Sequence, residues 1–462
     1  MVLYIFLVLQ LLFTFCTTQA YSDKIATPLS KNFTDFSVAV ADTPTKVMAY
    51  KDWTFAVYIA ADNDLNYFSG RNLADMAKVG STANLNIVVH LDKPGIQEKT
   101  KRLYIEKNKL VHVNANDPYS FQKLDSGNPM TLIDFCEWTV KNYPAKHYAL
   151  ILWNHGSGIL DNFGGRAINP SELFIFNPQT NMLEIDRSIS YLDFIEKTYF
   201  EQRAVCFSDT FKTFLSNQKL DLALRTIQKT ALAGKKFDII GYDACLMAMT
   251  EVAHLIQPYA QVGVFSQELE LGSGWKYDEV LKPFLTGSLT PEEFGSHIVT
   301  AYGNNYQAIT ADYTLSAVNL NKLTQLTSAI DNVSSILIQM MKFQQQNSVF
   351  NAIKASKSKR LCTHFSESSY IDLDHFLANI SDTIEYITLT SDKNHLKTLL
   401  QQALTCARQA LAECVIAHCE GKNLTRARGL SIYFPLRPAD QTYTITPFAR
   451  SNQWLNLIEM VA

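Results

Sequence analysis

The chain lacks any large excess of charge. Its 462 residues carry 41 basic and 44 acidic side chains, a net charge of −3. A protein that grips DNA or RNA by its phosphates needs a basic face, so no nucleic-acid partner is expected. The chain is not short of apolar residues either: 47% are hydrophobic and 18% charged, unlike a disordered composition. Its 14 prolines and 18 glycines are too few for a collagen-like or low-complexity chain. No internal repeat is evident. After residue 20 no segment is apolar enough to span a bilayer, so no membrane span is expected in the mature chain. What remains is a globular chain long enough for two or three domains and a large core.

Lys and Arg are also missing from the first twenty residues, which are almost wholly apolar up to Cys16. Such a run matches a secretory signal, with Thr18 and Ala20 as small residues before a cut, although the positive n-region is lacking. A retained N-terminal anchor is the alternative. Residues 1–20 are therefore expected to be a signal peptide. The protein is then expected to be secreted, or held in the periplasm or cell envelope. Residues 21–50, rich in Ser, Thr, Pro and Asp, read as a leader or pro-segment. Beyond them lie Cys136, Cys206, Cys245, Cys362, Cys406, Cys414 and Cys419. An odd count in an exported protein leaves at least one thiol unpaired, either reactive or simply buried.

From Trp53 the pattern changes. Apolar runs at Thr54–Ala60, Leu85–Leu91, Tyr148–Trp153, Arg203–Phe207, Phe237–Gly241 and Gln261–Ser266 read as buried strands. Helical patterns at 70–79, 131–142, 216–233 and 246–257 lie between several of them. This alternation predicts an α/β fold, a mostly parallel sheet covered on both faces. Residues 161–202 break the rhythm and form a long loop, the kind that is commonly functional. After about residue 310 the chain reads as mainly helical, at 319–345, 372–386 and 393–419, with a last strand at Gly429–Phe434. The expected division is a catalytic domain at 51–310 and a largely helical C-terminal subdomain at 311–462.

Two blocks carry chemistry. Tyr148–Trp153 runs through Asn154 to His155 and a glycine turn, and Phe237–Gly241 runs through Asp243 to Cys245. Ligands of open α/β sheets bind outside the carboxyl ends of the strands. If the two strands are neighbours, imidazole and thiol meet there. A helix starting at Leu246 would add its dipole and favour the thiolate of Cys245. His155 would serve as general base and acid. The N–H groups of Gly156 and Cys245 would form an oxyanion hole. Taken singly, a strand-end cysteine is more often a packed thiol and a His-Gly pair a turn; their joint occurrence carries the argument.

These blocks, LILWNHGSG and IIGYDAC, resemble those of the clostripain-like cysteine peptidases, of the clan that holds caspases, gingipains and legumain. VYIAADNDL at 57–65, CFSDT at 206–210, GSGWKYDEVL at 272–281, TLSAVNL at 314–320 and RGLSIYFP at 428–435 are similar to further family landmarks. The likeness covers about 51–462. It implies a caspase-like α/β/α sandwich and an endopeptidase acting on proteins or peptides. It further implies a Cys245/His155 dyad that needs no third member, and cleavage after Arg or Lys. Asp243 would face the cleft beside Cys245 and receive the substrate cation, with helix capping as its plain alternative. Family members are often cut between the His and the Cys; here Arg166, Arg187 and Lys197 are the basic sites of 161–202, with Arg166 first because Gly164 and Gly165 precede it. No cofactor is expected, although some members respond to calcium. Ser208 departs from the family's Asp-Asp-Thr, and Ser273 and Lys276 stand in a turn that often carries acids.

Other constellations are weaker. Ser157 lies in His-Gly-Ser-Gly, which is not a nucleophile elbow. Cys414 and His418 would share a helix face, but with Cys419 they fit no common zinc spacing, so no metal site is expected. Asp62, Asn63 and Asp64 read as turn and capping residues, with calcium ligation the minority reading. A non-catalytic exported binding protein on the same scaffold, and a transpeptidase using the same dyad, are the alternative functions.

Overall fold

The computed structural model describes residues 38–40, 49–113, 122–161, 173–187, 205–342, 346–387 and 394–462. Most of 1–50, the expected signal and leader, therefore lies outside the described residues. Sixteen strands appear among them, and ten form one sheet. In chain order the ten are β1 (Val38–Val40), β2 (Lys51–Ala60), β3 (Leu85–Asp92), β4 (Lys101–Glu106), β5 (Lys109–His112), β6 (Ala145–Trp153), β11 (Phe237–Asp243), β12 (Ala260–Phe265), β13 (Thr314–Asn319) and β15 (Val415–Glu420). The others make three two-stranded pairs: β7 (Phe174–Asn177) with β8 (Met182–Ile185), β9 (Val205–Ser208) with β10 (Thr213–Leu215), and β14 (Tyr370–Asp372) with β16 (Ser431–Tyr433).

The large sheet has the order β1-β5-β4-β3-β2-β6-β11-β12-β13-β15. Its middle, β3-β2-β6-β11-β12, is parallel throughout. Every residue of β3 and β11 is buried, as a strand covered on both faces requires. The chain passes from β2 to β3 on one side and later enters β6 on the other side of β2. That reversal places successive crossover helices on opposite faces and opens a crevice at the carboxyl ends of β2 and β6. Helix 66–79 packs with helices 277–281 and 291–306 by way of the middle one, whereas helix 129–142 packs with helix 217–230. The fold is the expected caspase-like α/β/α sandwich with a largely helical C-terminal part.

Several elements differ from the sequence expectation. The strand expected at Arg203–Phe207 is β9, which joins a small hairpin-like pair and not the main sheet. The long loop carries a β7–β8 hairpin, joined to the body by hydrogen bonds between Leu183 and the main chain of Ile309 and Ala311. The helix expected over 393–419 ends at Cys414, and Val415–Glu420 turns into a strand paired with β13. Both β13 and β15 lie beyond residue 310, so the central sheet continues into the segment expected to be helical. Val38–Val40, within the expected leader, pairs with β5 at the sheet edge. No helix among the described residues is long and apolar enough to cross a membrane.

Candidate active site

Strands β6 and β11 are parallel neighbours, with Trp153 opposite Asp243. His155 and Cys245 each follow two residues later, so equal extensions of paired strands bring them to the same edge of the sheet. Asn154 ties this edge together. Its N–H donates to the Asp243 carbonyl, its amide donates to the carbonyls of Ala60 and Phe207, and its Oδ1 accepts the Phe207 N–H. Gly156 packs so closely on the turn after β11 that a Cβ there would lie 2.3 Å from the Cys245 carbonyl oxygen. Only glycine permits that approach.

His155 has a partner that was read from the sequence as a turn or capping residue. Its Nε2 lies 2.7 Å from Oδ1 of Asp64, in the loop after β2. A carboxylate only accepts, so Nε2 carries the proton and Nδ1 is left as the basic nitrogen. Asp64 is thus a third group beside the dyad, where the resemblance implied that none is required. The adjoining acid has a different task. Asp62 accepts from Ser208 Oγ at 2.6 Å and from the N–H and hydroxyl of Thr210, and Lys123 stands 3.3 Å away. Asn63 holds the turn, accepting the Leu65 N–H and donating to the carbonyls of Ala60 and Phe207. These contacts engage the Asp-Asn-Asp cluster in protein bonds and explain Ser208: its hydroxyl donates to Asp62, where a second carboxylate would repel it.

Cys245 is 2% exposed and its thiol is held by one residue. The Glu270 N–H donates to Sγ at 3.2 Å, and Sγ in turn lies 3.7 Å from the Glu270 carbonyl oxygen. Imidazole and thiol share no hydrogen bond among the described residues. The expected helix at Leu246 is absent: residues 246–249 turn sharply, and the helix covers only Thr250–Ile256. The reason is long-range bonding. The Leu246 N–H goes to the Glu268 carbonyl and the Ala248 N–H to that of Ser266, so neither starts a helix. Cys245 therefore does not stand at the first turn of a helix. Burial pushes its thiol well above the usual range, helped by the charges of Glu270, Glu268 and Asp243 and opposed by the Glu270 N–H. These surroundings favour the thiol over the thiolate in the resting chain.

Asp243, two residues before Cys245, is buried close enough for its charge to act on the thiol. Tyr277 donates its hydroxyl to Oδ2 at 2.8 Å, and the Trp275 N–H lies 3.2 Å from both oxygens. Gly274, at φ +59°, has no room for a Cβ, which would lie 2.6 Å from Oδ1. Asn72 fixes this turn by donating to the Ser273 and Trp275 carbonyls while accepting from Trp153 Nε1. Lys276 does not reach Asp243; it pairs with Asp75 at 3.0 Å and Asp278 at 2.9 Å. Ser273 bonds to the Tyr306 hydroxyl. Burial raises Asp243 to about 6. Beside it stands a second acid that the sequence reading missed, Glu270, 3% exposed, with both oxygens sealed and lacking a hydrogen bond of good geometry. Burial and then the charge of Asp243 push Glu270 well above the carboxylate range. Two buried acids with no cation between them share a proton in preference to ionising together. The signal was present: Glu268 and Glu270 alternate directly after an apolar strand.

The remaining candidates separate from this edge. Arg166 and Lys197 lie outside the described residues. Arg187 is described, and its guanidinium pairs with Asp312 at 2.7 Å and Glu268 at 3.5 Å. Ser157 donates to the Leu160 carbonyl. Cys414 ends a helix whereas His418 and Cys419 lie on β15, so the shared helix face does not exist. All seven cysteines beyond the leader are free thiols.

Known proteins share this architecture. The family model of the clostripain family, Peptidase C11, matches residues 57–168 and 193–459. Clostripain of Hathewaya histolytica is 24% identical over 468 residues, covering 88% of this chain and 80% of the relative. A secreted C11 cysteine protease from Bacteroides thetaiotaomicron, solved with an irreversible peptide inhibitor, superposes with a TM-score of 0.57 at 18% identity, over 89% of this chain and 99% of that one. An inactive zymogen C11 protease from Parabacteroides distasonis gives 0.56 at 17% identity, over 88% and 99%.

Proposed function

Since the chain belongs to the clostripain family and is a cysteine endopeptidase, we propose that Cys245 is its nucleophile and His155 its general base and acid. The observation that carries this assignment is the Trp153–Asp243 pairing, which sets the two residues at equal distances beyond neighbouring strands. Nδ1 of His155 takes the thiol proton as Sγ attacks the scissile carbonyl carbon. The N–H groups of Gly156 and Cys245 hold the resulting oxyanion. The imidazolium then protonates the leaving amine as the C–N bond breaks, leaving a thioester. Water, deprotonated by the same imidazole, attacks the thioester and releases the acid and the thiol. Asp64 positions the ring and stabilises the imidazolium.

The substrate cleaved is one with Arg, or Lys, before the cut. Asp243 receives the cation, and Glu270 supplies a second acid at the same place. A guanidinium pairs with a carboxylate in a bidentate way, which favours Arg. The enzyme is exported on the signal at 1–20 and cut by its own activity in the 161–202 loop, with Arg166 as the site. The resting thiol, held by the Glu270 backbone, suits a chain made latent.

Incubating the purified protein with a denatured substrate, and reading the cut sites by mass spectrometry, tests this. Cuts after Arg and Lys are expected, lost in folded Cys245→Ala and His155→Ala. Retained turnover in either variant overturns the dyad; cuts spread evenly over residue types overturn the pocket.

A further inference from the structure

A cavity of about 700 Å³ lies away from the dyad, between the end of the β7–β8 hairpin at Ile185 and Arg187, the 359–368 loop, and Leu424. Arg187, Lys359 and Arg360 line it together with His364 and His375, and among the described residues no Asp or Glu does. Arg187 is already paired with Asp312 and Glu268. Lys359 and Arg360 differ: both are exposed, and among the described residues neither forms an ion pair. The acid that acts on Lys359 is Glu367, which is buried and held by the N–H and hydroxyl of Ser369. The wall is built rather than slack. His364 bridges the carbonyls of Lys357 and Ser368, each at 2.7 Å, and His375 accepts the Thr363 N–H at 3.1 Å. Burial, and then the charge of Arg426, hold His375 at about 4. The ring is therefore neutral at pH 7 and can accept that N–H. Arg426 is itself exposed and adds a further cation behind the wall.

We infer that this cavity is a docking site for an acidic peptide segment. Exposed cations that form no ion pair among the described residues, Lys359 and Arg360, on a concave, polar wall attract carboxylates, and a volume of this order holds several side chains. The place of the cavity argues for a segment of the polypeptide being cleaved. Arg187 and the Ser366 N–H both bond to Glu268, and the Glu268 carbonyl takes the N–H of Leu246, next to Cys245. A chain lying in the cavity is thus one residue's contacts away from the nucleophile turn. This link to substrate rests on the peptidase reading; the binding itself does not.

Fluorescence anisotropy with a labelled hexaglutamate peptide tests it, using the full chain carrying Cys245→Ala so that binding is read without turnover. Binding is expected, weakening as salt rises. Lys359→Gln/Arg360→Gln should weaken it at least tenfold; both side chains are exposed, and an unchanged melting temperature shows that the variant folds. Binding that is absent, or equal in the double variant, overturns the site. Competition by inorganic phosphate as strong, per charge, as that by unlabelled hexaglutamate would reveal a free-anion site and overturn the peptide assignment. With Cys245 restored, KM for a substrate bearing a glutamate tract should rise in the double variant while kcat for a short uncharged-flank peptide stays the same. An inactive enzyme that still binds hexaglutamate would fault the peptidase reading and leave the docking site standing.

Discussion

Replacing Asp243 with Asn separates what this acid costs the fold from what it offers a substrate. Its carboxyl sits at about 6 in the folded chain, against an ordinary 3.8, because burial penalises the charged form. A group that holds its proton more tightly when folded stabilises the fold only while it is protonated. Stability is therefore fullest below pH 4, is lost as the pH rises towards 6, and stays low above that. The gap between 3.8 and about 6 corresponds to about 3 kcal/mol. Asn has nearly the same volume and cannot ionise. Its Oδ1 can still accept from Trp275 or Tyr277, and its amide would face Glu270. Losing one good acceptor costs about 1 kcal/mol, so Asp243→Asn should gain about 1–2 kcal/mol at pH 7.5. Glu270 loses a charged neighbour at the same time, which acts in the same direction. Urea unfolding at pH 4.5 and pH 7.5, on a Cys245→Ala background to prevent self-digestion, measures this. The gain should appear at pH 7.5 and vanish or reverse at pH 4.5. A variant less stable than its parent at pH 7.5, or a difference that ignores pH, refutes the reasoning. With Cys245 intact, the same change should reduce the preference for Arg over Leu at least a hundredfold, because a desolvated cation loses its partner.

Other perturbations test the rest of the edge. Asp64→Asn should lower kcat by about ten- to a hundredfold with little change in KM, since the acid would act through the His155 ring it bonds to; Asp64→Glu should recover part of it, and an unchanged kcat would remove Asp64 from the mechanism. Gly156→Ala forces a Cβ to within 2.3 Å of the Cys245 carbonyl oxygen. Relieving that clash should cost about 1–3 kcal/mol, lower the melting temperature by a few degrees and displace the nucleophile enough to stop turnover. Arg166→Ala should leave the chain whole on a denaturing gel while wild type yields two associated chains, and Cys245→Ala should also stay whole; if purified Cys245→Ala is cut in the same way, the cut is not autocatalytic.

The sheet was legible in the sequence because parallel strands buried on both faces are continuous apolar runs, and β2, β3, β6, β11 and β12 are such runs. The two strand-end residues followed from the same signal. What failed did so through contacts distant in sequence. Leu246–Met249 has helix-compatible apolar content, yet the N–H groups of Leu246 and Ala248 bond to carbonyls some twenty residues away in the turn after β12. Val415–Glu420 follows a helix without a break in apolar period, and becomes a strand because β13 offers it an antiparallel partner. Asp64 could not be told from a turn residue, since turns and catalytic loops draw on the same side chains; its partner is 91 positions away. Lys276 stands in a turn that often carries acids, and only the positions of Asp75 and Asp278 show where its charge goes.

Glu270 joins the two halves of the site, and the consequence is thermodynamic. Its main chain holds the Cys245 sulfur, and its carboxyl feels the charge of Asp243. After burial itself, the charges of Glu270, Glu268 and Asp243 are what oppose ionisation of the thiol. A substrate cation placed beside Asp243 and Glu270 offsets the negative charge that this proton-sharing pair carries, so on the proposed roles it must ease proton transfer from Sγ to His155. Linkage makes the effect reciprocal: a site that binds the cation more tightly when the thiolate forms also forms the thiolate more readily when the cation is bound. A thiol lowered by a helix dipole would be reactive whether or not the pocket were filled. On the proposed roles, a thiol disfavoured as thiolate by burial beside acids ionises more readily once a basic side chain arrives, which would tie nucleophile formation to the residue before the cut.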